Sequence, residues 1–163
     1  MKNRTVQFNF EEYQNDSGLS KIDQELLKAA HKATKLAYAP YSNFYVGAAM
    51  LTVQGKTVLG ANRENAAYPM CMCAEQVAVS NVHINYREDP VICMAITAHS
   101  ARTKVESPVG PCGKCRQILL ELADQQGQDF RVILQGETGP IWILQSVKDL
   151  LPMQFDQNNL ETN

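Results

Sequence analysis

Four of the chain's five cysteines fall in two tight groups, Cys71 with Cys73 and Cys112 with Cys115. Thiols grouped in this way constrain a fold strongly, because two segments far apart along the chain must meet at one point. Cys73 is followed by Ala74 and Glu75, and the second group reads Pro111-Cys112-Gly113-Lys114-Cys115. Three thiolates satisfy three positions of a zinc ion and leave the fourth for water, the arrangement of catalytic rather than structural sites. A glutamate that is not itself a ligand, placed two residues past one, can reach that water and move its proton. The pattern therefore predicts a zinc centre built on Cys73, Cys112 and Cys115, with Glu75 as its acid–base group.

Competing readings stand beside this one. Adding Cys71 gives four thiols, enough for a closed structural zinc with no open position. That reading leaves the apolar segment carrying Glu75 unexplained, and paired C-x-x-C knuckles are the commoner form of such modules. Cys112 and Cys115 also have redox spacing, but a proline-rich loop precedes them and Cys73 is left out. Cys93, within Val91-Ile92-Cys93-Met94-Ala95-Ile96, reads as a small buried hydrophobe. His31, His83 and His99 lack metal spacing and read as surface or strand-end residues.

Composition narrows the class. A length of 163 residues suits one domain with a real core. Hydrophobic residues are 45% and charged residues 20%, and the net charge of -2 argues against a nucleic-acid polymer as the partner. No apolar run approaches a membrane span, and residues 1 to 10 lack a signal core, so a cytoplasmic protein is expected. An odd number of clustered cysteines fits a reducing compartment and metal ligation better than disulfides.

Taken in order, residues 1–19 read as an extended arm in which Val6, Phe8 and Phe10 alternate. Ser20 caps a helix, with Asp23 at the capping-box position and Ile22, Leu26, Ala29, Ala30, Ala33, Leu36 and Ala37 along one face; Pro40 ends it. Tyr45 to Val53 and Lys56 to Ala61 pair as a hairpin around Gln54-Gly55. A buried helix over 74–82, a continuous apolar strand over 91–98 and a helix over 115–123 follow. Strands at 130–134 and 141–144 and a short helix from Ser146 complete the order. The expectation is a three-layer α/β/α domain over residues 20–155 with a mixed central sheet of about five strands, then a polar tail, 156–163.

Five stretches, in this order, carry a specific resemblance covering roughly Tyr38 to Phe155. They are Tyr38-Ala39-Pro40-Tyr41-Ser42-Asn43-Phe44 continuing to Ala49, Gly60-Ala61-Asn62-Arg63-Glu64-Asn65-Ala66-Ala67-Tyr68, Cys73-Ala74-Glu75, Pro111 to Gln117, and Leu150-Leu151-Pro152 with Phe155. The sequence resembles the small, homotetrameric type of cytidine deaminase. The C-x-E and P-C-x-x-C signatures are those of zinc deaminases acting on nucleobases. The resemblance implies zinc as cofactor and hydrolysis of cytidine and 2'-deoxycytidine to uridine and 2'-deoxyuridine, with ammonia released. It further implies that Asn62 and Glu64 bind the ribose hydroxyls, that Phe44 packs on the pyrimidine, that peptide N–H groups near Cys73 and Ala74 orient the base, and that Phe155 reaches a neighbouring subunit's site. Alone, Asn62-Arg63-Glu64 would read as a solvated turn and Phe44 as core. A relative acting on another cytosine-bearing nucleoside is the nearest alternative activity.

Two positions depart from the family's pattern. Three thiolates leave the zinc site net negative, and the family offsets this with an arginine directly after the glutamate; here Gln76 stands there. Arg116, next to Cys115, is the nearest cation in sequence that could compensate. Arg63 occupies a position where relatives carry an apolar residue.

Overall fold

The computed structural model describes residues 1–160; residues 161–163 of the expected polar tail lie outside the described residues. Nine regular elements form a mixed six-stranded sheet covered on both faces. They run β1 (Glu11–Tyr13), α1 (Lys21–Ala33), β2 (Phe44–Thr52), β3 (Thr57–Ala61), α2 (Ala74–Asn85), β4 (Val91–Ser100), α3 (Gly113–Gln125), β5 (Arg131–Gln135) and β6 (Ile141–Leu144). The strand order is β1-β6-β5-β4-β2-β3, with β4 and β5 parallel and every other pair antiparallel. Helix α3 makes the crossover that the parallel pair requires.

The apolar run of β4 is explained by two covered faces. Cys93 and Ala95 pack under α1 with Ala49, Ile133 and Ile143, whereas Met94 and Ile96 point the other way, under α2 and α3. Alternation along the strand delivers one set to each layer. Cys93 is fully buried, and burial pushes its thiol up to about 12, as suits a core residue.

Four details differ from the sequence expectation. A sixth strand exists: β1, inside the expected arm, pairs with β6 through Glu11↔Ile143, Glu12↔Trp142 and Tyr13↔Ile141. The buried stripe of α1 is Asp23, Leu26, Leu27, Ala30 and Ala33, while Ile22 and Leu36 are exposed. Ser20 does cap α1, accepting from the Asp23 backbone N–H at 3.1 Å, but the Asp23 carboxylate turns to Arg131 of β5 at 2.7 Å instead of closing a capping box. His31 is no surface histidine: it lies half-buried, with Nε2 3.0 Å from Gln135 and Nδ1 3.4 Å from Thr97.

Two glycines let the helices approach. A Cβ at Gly47 would strike the Ala30 carbonyl and come 2.6 Å from the Thr34 nitrogen, so α1 rests directly on β2. One at Gly60 would strike the Ala74 carbonyl and come 2.5 Å from the Ala78 nitrogen. Gly60 thus fixes the first turn of α2 against β3, and that turn carries the site.

Candidate active site

Both thiol groups stand at helix starts. Cys73 is the N-cap of α2, Cys112 the N-cap of α3, and Cys115 sits in the first turn of α3. Neither N-cap residue makes a side-chain capping bond, so the free N–H groups and positive dipole ends of both helices stay available to thiolates. The three sulfurs lie within 4.8 Å of one another. Zinc–sulfur bonds of about 2.3 Å in a tetrahedron set sulfur–sulfur edges near ~3.8 Å, so one ion fits this cluster and its soft donor set. Hydrogen bonding with Cys115 draws the Cys73 thiol well below its ordinary value, with Cys112 and the Lys114 cation acting in the same direction. Cys115 moves the other way, through that same shared bond and its burial.

Cys71 is not part of the cluster. Its sulfur accepts from the Asn65 backbone N–H at 3.2 Å and closes the 65–71 loop. The four-thiol reading therefore loses its fourth ligand.

Beside the thiols lies a cavity of ≈ 290 Å³. Phe44, Asn62, Glu64, Ala74 and Glu75 all line it, together with Cys73 and Cys112. Glu75 is 5% exposed, and loss of hydration raises its carboxyl above the usual carboxylate range, against opposing bonds from its own backbone and from Cys115. Phe44 enters from β2 just after Asn43, whose φ of 56° is a left-handed turn that asparagine tolerates. Asn62 reaches back to β2, donating to the Phe44 carbonyl at 2.9 Å and accepting from the Val46 N–H at 2.7 Å. One N–H and one lone pair of its amide remain for a ligand. For Glu64, slight burial works upward, but bonds from the Ser42 side chain and from the Tyr41 and Ser42 backbone outweigh it and lower the carboxyl's pKa. Those backbone bonds fall on Oε2, at 2.9 and 3.2 Å.

Other singled-out residues lie away from this cavity, Phe155 having been expected at a neighbouring subunit's site. Phe155 does not line the cavity; it is 56% exposed, and its carbonyl accepts from Gln117 at 2.9 Å. Arg116 spends Nε on the Pro111 carbonyl and Nη1 on the Leu150 carbonyl, both at 2.9 Å, and the cation felt at Cys73 is Lys114. The Oε1 of Gln76 is the single buried side-chain nitrogen or oxygen without a hydrogen-bond partner among the described residues. Arg63 lines a separate groove beyond the free edge of β3. The sequence reading missed Val46, Met72, Ile96 and Val109 as cavity walls. Only the alternation of β2 and β4 hints at the two strand residues, and it leaves open which face the cavity occupies.

Known proteins match this arrangement. The profile of the cytidine and deoxycytidylate deaminase zinc-binding region matches residues 20–127. The chain is similar to the cytidine deaminase of Halalkalibacterium halodurans, 39% identical over 84% of this chain and 96% of the relative. It is also similar to that of Sporosarcina psychrophila, 36% identical over 84% of this chain and 93% of the relative. The crystal structure of cytidine deaminase from Burkholderia pseudomallei superposes with a TM-score of 0.69 at 39% identity, covering 81% of this chain and 98% of that one.

Proposed function

Because the chain belongs to the zinc-binding cytidine and deoxycytidylate deaminase family, we propose that it hydrolyses cytidine and 2'-deoxycytidine to uridine and 2'-deoxyuridine, releasing ammonia. The observation that carries this reading is the meeting of three thiols with a buried Glu75, itself outside the thiol cluster, on a cavity. Cys73, Cys112 and Cys115 would hold the zinc, which supplies a Lewis acid that lowers the pKa of water in its open position.

The chain's own residues do the rest. Glu75 accepts the proton of the attacking water and passes it to N3 of the ring as the new C–O bond forms at C4. It then takes the proton of the hydroxyl now on C4 to the amino group, so that the C–N bond breaks, ammonia leaves and the C4 carbonyl forms. Phe44 packs on the pyrimidine, and the free amide hydrogen of Asn62 with the second oxygen of Glu64 binds the ribose hydroxyls. A bare base, which offers no sugar hydroxyl, leaves these polar groups unpaired and is rejected. The N–H at the start of α2, near Ala74, helps to orient the base.

Self-association as a homotetramer with shared active sites belongs to the same reading. Leu36, Tyr38, Tyr68 and Met70 are each more than half exposed, and Leu36 and Tyr38 flank the free edge strand β3. Exposed apolar side chains beside an unpaired strand edge are what a chain covers with a second copy. Phe155 would then enter a neighbour's cavity. Residues 20–155 form the catalytic domain in this reading, with 1–19 as an arm. The ligating thiols need a reducing, cytoplasmic setting, and the substrate and products place the reaction in pyrimidine salvage.

The test is ultraviolet absorbance on adding cytidine to purified protein. Deamination is expected with zinc present, none after chelation, and recovery on adding zinc back. No turnover by metal-loaded protein would defeat the proposal. Changing Cys71→Ser should leave zinc content and activity intact, and zinc loss in that variant would revive the closed four-thiol site.

A further inference from the structure

The matched family region spans residues 20–127, and the N-terminal arm lies before it. The arm is anchored beyond the β1–β6 pairing. Glu12 accepts from the Trp142 ring N–H at 2.7 Å, Glu11 accepts from Gln145 at 2.6 Å, and the Phe10 and Trp142 rings stand 4.9 Å apart. From there Phe8 and Phe10, each still about half exposed, line a cavity of ≈ 380 Å³ together with Gly110, Arg116, Asp149 and Leu150.

Arg116 connects that cavity to the metal ligands. It follows Cys115 directly, and the Pro111 carbonyl it grips belongs to the residue just before Cys112. Through Leu150 it also ties the C-terminal segment to the same helix start. One guanidinium therefore sets the loop and the helix turn that carry two of the three thiols. Hydrogen bonds of this kind weaken when water competes for both partners and strengthen when it is kept away.

We propose that the N-terminal arm is a positioning element of the metal centre, acting by sheltering the Arg116 clamp on the ligand loop. The inference rests on the zinc reading above. Its effect falls on how long the ion is held, with the thiol ligands themselves unchanged.

Zinc transfer from the full-length, zinc-loaded protein to a chromophoric chelator measures this. Phe8→Ser with Phe10→Ser should release zinc about ten-fold faster, the scale typical of losing a ligand's supporting contacts. Arg116→Lys should do the same, because one ammonium cannot span two carbonyls in place of the planar fork. Combining these changes should give no further acceleration, since both disable the same clamp. Phe10→Leu, which keeps an apolar cover, should release at the unmodified rate, as should Val6→Ser on the exposed part of the arm. Release at the unmodified rate from the serine variants, or effects that multiply in combination, would overturn the proposal. Should the double serine variant fail to fold, the single Phe10→Ala change decides by the same rate. An unmodified chain that holds no zinc would instead refute the zinc reading, and this one with it.

Discussion

The three helices begin in two different ways. Helix α1 is finished as a stability element: Ser20 accepts from the Asp23 N–H, and Asp23, 6% exposed, pairs with Arg131. Helices α2 and α3 begin at Cys73 and Cys112 with no side-chain cap. An uncapped start costs about 1 kcal/mol relative to a good cap. The fold bears that cost twice, and both times at the same place, where the free N–H groups face the thiol cluster. One face of the sheet is thus optimised for holding together, and the other keeps its donors free for chemistry.

That contrast can be broken at several points. The largest effect is expected from Glu75→Gln on the chemical face: activity should fall by about 10²- to 10⁴-fold, with zinc content by metal analysis unchanged. Loss of zinc with the activity would make Glu75 a ligand instead of the acid–base group. Next come the paired glycines. Gly60→Ala and Gly47→Ala should each lower stability in denaturant melts by about 2 kcal/mol, the usual scale of overpacking. Only Gly60→Ala should also cost zinc, because its new methyl group pushes the first turn of α2, with Cys73 and Glu75, off the sheet. Equal zinc loss in both would erase the distinction between the faces.

Smaller changes sharpen it. Ser20→Ala should lower stability by about 1 kcal/mol while zinc release and kcat stay put, confining the cap's role to α1. At the low end, Gln76→Arg places a cation directly after Glu75, on a side chain whose buried oxygen has no partner now. Kinetics should give activity equal to or above the parent's. A variant that binds zinc normally yet loses most of its turnover would sink the charge argument.

Much of the site was legible because its chemistry is local. Each thiol of the cluster stands at a helix start, where spacing from a neighbouring Cys or Glu translates directly into direction, and so Cys73 rather than Cys71 could be chosen by its offset from Glu75. Resemblance supplied Asn62, Glu64 and Phe44, which composition alone would have left as a turn and a core residue. The strand β1 was not legible: Glu11, Glu12 and Tyr13 show no apolar alternation, and their pairing depends on Trp142 and Gln145 from the far end of the chain. The bonds of Arg116 were not legible for a similar reason, since adjacency to Cys115 says nothing about which carbonyls its guanidinium reaches.

The sequence by itself determined the kind of donors, their order, and the helix and strand periods that bring them to a sheet covered on both faces. Tertiary structure alone decided which buried faces meet. It turned Asp23 from a cap toward Arg131, set Cys71 aside on Asn65, committed Arg116 to the Pro111 and Leu150 carbonyls, and laid the arm against Trp142. The reason is physical. Ligand type and helix starts are set by interactions within a few residues, whereas a long polar side chain goes to whichever unpaired group the packed fold leaves within reach.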